Sequence, residues 1–145
     1  MTPPSPDEAA IRRQGRVVVL LRASAVLLCL AAPAVVMPIE MMQTVHGSLG
    51  LGRLAETPLV SYLARSLSAF YAFHGLTLWF LSRDVPRYAP LLEFFGLLGV
   101  LAGVGMIALD VVVGMPFLWS LIEGPAIVLV YGSLLFLIRD CRRSA

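Results

Sequence analysis

The chain has 145 residues, 59% of them hydrophobic and only 14% charged, with a net charge of +2 and a mean hydropathy of +0.86. A soluble domain is near half apolar, with about a quarter of its residues charged. The excess here excludes a water-solvated globule and makes the lipid bilayer the natural solvent; the length suits one domain. Every basic residue is arginine, a codon bias that points to a GC-rich bacterial genome, and nucleic acid is not expected as a partner.

Residues 1–16 form a polar leader with Pro3, Pro4 and Pro6, ending in Arg12, Arg13 and Arg16. Four apolar runs follow, at 17–37, 59–81, 91–113 and 117–138. Each reaches the roughly 20 residues that carry a helix across the hydrocarbon core. They lack the alternation of barrel strands, so helices are left as the way to satisfy the backbone inside lipid. The expected fold is all-α, a four-helix transmembrane bundle, with a short cytoplasmic tail at 139–145. Ala32-Pro33-Ala34 resembles a cleavage site after a basic leader, but the apolar run continues through Val35, Val36 and Met37. It is longer than a signal core, and a retained span is expected.

Between the first two runs lies the longest loop, 38–58. Pro38 and Glu40 can start a short amphipathic helix and Gly47 can stop it. The second loop is expected at 82–90. The third is Gly114-Met115-Pro116 alone, so the last two spans form an antiparallel hairpin. Eight arginines (12, 13, 16, 83, 87, 139, 142 and 143) fall on one side and Arg53 alone in a loop on the other. This distribution puts both termini in the cytoplasm of a bacterial inner membrane.

Ionisable side chains inside a span cost about 2.5–3.5 kcal/mol on insertion scales, so they face a bundle interior, a cavity or a partner. Arg65 falls roughly 9 Å below the outer end of its span by helix rise, and Glu123 is at a similar depth. Asp110 is nearer the outer end, and Glu40 sits just beyond the first span. A bridge from Arg65 to Glu123 or Asp110 is expected. In the inner half, Arg22 either pairs with Glu93 or snorkels to the headgroups, and His74 lies among them. Ser61, Arg65, Ser68, Ala72 and Gly75 share one helical stripe; Gly96, Gly99, Gly103 and Asp110 share another. Both read as packing faces. Pro125, beside Glu123, is expected to kink its helix or to have its freed carbonyl satisfied by neighbours.

The cysteines, Cys29 and Cys141, form no C-x-x-C pair. No hydrolase, phosphate-loop or metal-ligand motif occurs. Haem is not expected, because the histidines, His46 and His74, lie toward opposite sides. His46, Leu49-Gly50-Leu51-Gly52, Pro58, Tyr62-Leu63-Ala64-Arg65, Ser68, Tyr71 and His74-Gly75, continued by Asp84, Arg87-Tyr88, Asp110, Gly114-Met115-Pro116, Trp119 and Glu123-Gly124-Pro125, resemble a family of small bacterial four-helix membrane proteins. More loosely the chain resembles the DoxX-like proteins. That resemblance implies a membrane subunit of a quinone-linked redox system, with quinone as the ligand, and carries over no catalytic residue.

The sequence thus favours a non-enzymatic membrane protein that binds a lipophilic molecule or serves as an accessory subunit of a membrane complex. A proton-coupled carrier is the other alternative, and it would need a homo-oligomer. The site candidates are Arg65, Asp110, Glu123, Glu40 and His74, with no metal.

Overall fold

The computed structural model describes residues 6–143. It contains five α-helices: α1 (Pro6–Cys29), α2 (Ile39–Ser48), α3 (Pro58–Leu81), α4 (Val85–Val113) and α5 (Phe117–Arg143), with a 3-10 turn at Ala32–Val35. Among the described residues, three segments are long and apolar enough to cross a membrane: Ala10–Val35, Val85–Val113 and Phe117–Arg142. Their surfaces carry large apolar side chains in the open, among them Val19, Leu27, Leu101, Val112, Leu121, Leu129 and Phe136, as lipid-facing helices do. The helix α3 has 24 residues, so length does not set it apart. It is less apolar because it carries Arg65, His74 and three serines.

Helix boundaries differ from the sequence expectation in three places, each for a local reason. From Pro6 onward the polar leader is helical and runs directly into the first apolar run; Pro3 and Pro4 lie outside the described residues. The first helix ends at Cys29, not at residue 37. Pro33 has no N–H, and its ring excludes the carbonyl four residues back. The chain therefore tightens to i→i−3 bonds, from Ala31 N–H to Leu28 O (3.1 Å) and from Ala34 N–H to Ala31 O (3.0 Å). The second loop shrinks to 82–84. Asp84 caps α4 by accepting the Arg87 N–H at 3.2 Å, and Pro86 sits in the first turn, where a missing N–H costs nothing.

The chain divides into two compact units, one of residues 1–23 and 79–145, the other of 24–78. In the first unit, α4 and α5 form the expected antiparallel hairpin. Gly114 ends α4 in the left-handed conformation (φ 76°), and its N–H and that of Met115 bond the Asp110 carbonyl at 3.0 and 2.9 Å. The glycine stripe is the contact face. A methyl group added at Gly96 would lie 3.0 Å from Leu135 Cβ, one at Gly103 would lie 2.9 Å from the Val128 backbone nitrogen, and one at Gly99 would overlap the Tyr131 ring. The core of this unit is Val17, Leu21, Leu81, Val85, Leu92, Leu134 and Ile138, none more than 3% exposed. Pro125 is accommodated inside α5, which continues as one helix to Arg143.

The second unit is held differently. A methyl at Gly75 would meet Ala25 O at 2.7 Å, and Cys29 Sγ donates to Ala72 O at 3.7 Å. The end of α1 and the middle of α3 are therefore in backbone-to-backbone contact. The expected short helix in the long loop is present as α2, with Glu40 in its first turn, where a carboxylate complements the helix dipole. The loop that follows is tied back to α2. Gln43 Nε2 donates to Leu54 O at 2.7 Å, Leu54 N–H donates to Gln43 Oε1 at 3.0 Å, and His46 Nδ1 meets Gly52 O at 3.0 Å.

Candidate functional site

The ionisable residues singled out in the sequence resolve into separate roles. Arg65, half-buried on α3, donates to Val35 O at 2.7 Å and to Met37 O at 2.9 Å, with Ser61 Oγ on its Nε at 3.3 Å. Both carbonyls lie where the helical ladder is interrupted. Pro38 cannot donate to Val35, and Met37 precedes the first turn of α2. Arg65 thus satisfies backbone acceptors that the break leaves without helical donors. Asp110 and Glu123 belong to the other unit. Asp110 is 3% exposed, and its Oδ2 has no hydrogen-bond partner among the described residues. Glu123 accepts a hydrogen bond from Trp119 Nε1, one turn earlier on α5. Glu40 is exposed, and His74 is half-buried on α3.

The inner pair is redistributed. Arg139 Nε donates to Glu93 Oε1 at 2.9 Å, and Arg142 Nη1 donates to Oε2 at 2.6 Å. Arg22 lies 5.4 Å from the Trp79 ring centre and donates to Ser82 Oγ at 3.4 Å. Side chains on α5 reach Glu93 because α5 runs one turn beyond the expected end of its span, bringing both arginines to one helical face. Arg22 is drawn to the tryptophan face, where a guanidinium is favoured.

The feature best formed as a binding site was not singled out in the sequence. A cavity of about 290 Å³ opens where three helix ends meet. The start of α1 gives Ala10, Arg13 and Gln14; the first turn of α4 gives Val85, Pro86 and Ala89; the end of α5 gives Ile138, Cys141 and Arg142. Each set is spaced so that its members share one helical face. Val85 and Ile138 are buried and make an apolar floor. Arg13 Nε lies 3.4 Å from Asp140 Oδ2, and Arg142 is the same residue that holds Glu93. The walls are chiefly apolar, with two guanidinium groups and one amide among them. Such a composition suits an amphiphile: an apolar body with a polar end placed by a few directed groups.

Two local signals pointed to this cavity. Asp84 followed by Pro86 is the mark of a capped helix start rather than a loop. Arg139 and Arg142 stand at helical spacing. Among the described residues, no group of three His, Cys, Asp or Glu side chains is placed to hold a metal ion. No family model, curated protein or solved structure matches this chain.

Proposed function

We infer that the chain is a four-span, non-enzymatic protein of the bacterial inner membrane, both ends cytoplasmic, which holds a lipophilic molecule in the cavity at its arginine-rich end. The cavity carries the binding part of this reading. The four-span part is supported by parity. Arg13 on α1 and Asp140 on α5 are 3.4 Å apart, which favours an even number of crossings between them. Arg22 on α1 and Ser82 just after α3 are also 3.4 Å apart. On this reading the chain that leaves along α1 returns through α3, about 36 Å long by helix rise. Its least lipophilic residue, Arg65, has its charge directed at backbone carbonyls.

The test compares wild-type protein with Ala89→Trp, which fills the cavity from the α4 wall. Both are purified gently, and their retained small molecules are extracted and identified by mass spectrometry. The wild type is expected to retain one lipophilic class in near-stoichiometric amount, and the variant to lose most of it at an unchanged melting temperature. Equal retention by the two proteins would refute the cavity as the site. A retained quinone would turn the reading toward a redox subunit.

A further inference from the structure

The cavity sits among more guanidinium groups than carboxylates. Arg13, Arg139 and Arg142 face Asp140 and Glu93, which leaves one positive charge over. Arg12 and Arg16 on the same end of α1 are matched in number by Asp7 and Glu8, and Arg12 pairs with Glu8 at 3.9 Å. Arg142 is committed to Glu93 through a single Nη, and a guanidinium carries five N–H donors. The site is therefore organised for an additional acceptor of negative charge.

Size and position narrow the choice. About 290 Å³ corresponds to on the order of ten water-sized groups. That holds a phosphodiester with its glycerol, and it is too small for a pair of acyl chains. Apolar surface from Val85, Pro86, Ala89 and Ile138 lies beside the arginines, so an amphiphile entering with its phosphate toward Arg13 and Arg142 keeps its apolar part on those walls. The helices that form the cavity also carry the exposed lipid-facing side chains, so acyl chains can run from it into the bilayer. Basic clefts between transmembrane helices at the cytoplasmic face are suited to anionic lipid headgroups.

We propose that the ligand is an anionic phospholipid of the cytoplasmic leaflet, its phosphate placed between Arg13 and Arg142. This rests on the cavity being the binding site, and the experiment separates the two claims. Full-length protein is equilibrated with dioleoylphosphatidylglycerol or dioleoylphosphatidylcholine, and the lipid retained is counted by native mass spectrometry. The wild type is expected to favour the anionic lipid by on the order of tenfold or more. The double variant Arg13→Gln/Arg142→Gln should retain both lipids alike, and Arg13→Lys/Arg142→Lys should keep part of the preference, since a lysine supplies charge without the planar fork. In the unmodified protein, raising the salt concentration should lower retention of the anionic lipid and leave the zwitterionic one unchanged, a readout that needs no variant to fold. If the wild type shows no headgroup preference, or the glutamine pair keeps the full preference, the proposal is overturned. Retention that is lost in Ala89→Trp yet indifferent to headgroup would overturn this proposal alone. Retention indifferent to Ala89→Trp as well would remove the cavity reading with it.

Discussion

The α4–α5 hairpin and the region around the end of α1 solve the same problem by opposite means. In the hairpin each helix runs on through its proline, Pro90 in α4 and Pro125 in α5, and the helices approach through Gly96, Gly99 and Gly103. What holds them is close packing, the main source of helix association where surrounding lipid is as apolar as the side chains. Around Cys29–Ile39 two prolines interrupt the ladder, and carbonyls are left over. Arg65 supplies the missing donors to Val35 and Met37, and in the loop after α2 Gln43 does the same for Leu54. The lesson is that a polar residue in an apolar segment can belong to the backbone of its neighbour rather than to a ligand. Arg65 stood out in the sequence as a candidate for function, and its geometry is that of a clamp.

The contrast can be broken at either end. The largest effect is expected from Gly103→Leu. Its first side-chain carbon would already press on the Val128 backbone, so the hairpin must part, at about 3 kcal/mol or more; thermal unfolding in detergent would show a large fall in midpoint or loss of accumulation. Next comes Arg65→Met, which keeps bulk but removes the donors to two carbonyls. A loss of about 2–3 kcal/mol is expected, and Arg65→Lys should recover part of it. Gln43→Ala removes both arms of the tie to Leu54. It should cost about 1–2 kcal/mol and speed hydrogen exchange locally, in residues 50–56. Gly105→Ala is the control. Beyond its own turn of helix no atom lies within 4 Å of its added methyl, so stability should hold or rise by up to about 1 kcal/mol.

The apolar runs, the hairpin with its three-residue turn, the glycine stripe and the short helix α2 were all legible in the sequence, because each follows from local composition or spacing. What escaped was set by proline context. Pro33 falls inside the first expected span, 17–37, yet α1 ends ahead of it at Cys29. Pro86 and Pro90 read as loop, yet one starts α4 and the other lies within it. Those two errors hid the cavity, since its α4 wall was assigned to a loop and its α1 wall to a leader without assigned structure. Partner choice was equally hidden. By depth along its span Glu93 was matched with Arg22, and the register of the hairpin instead brings Arg139 and Arg142 to it.

The account depends most on α3 crossing the membrane, since that fixes which side the cavity faces. It is tested by single-cysteine labelling in a background with Cys29→Ala and Cys141→Ala, using Ala55→Cys before α3 and Arg83→Cys after it; both positions are exposed. A membrane-impermeant maleimide applied to spheroplasts is predicted to label position 55 at once and position 83 only after permeabilisation. Labelling of both positions from the same side would contradict the four-span reading.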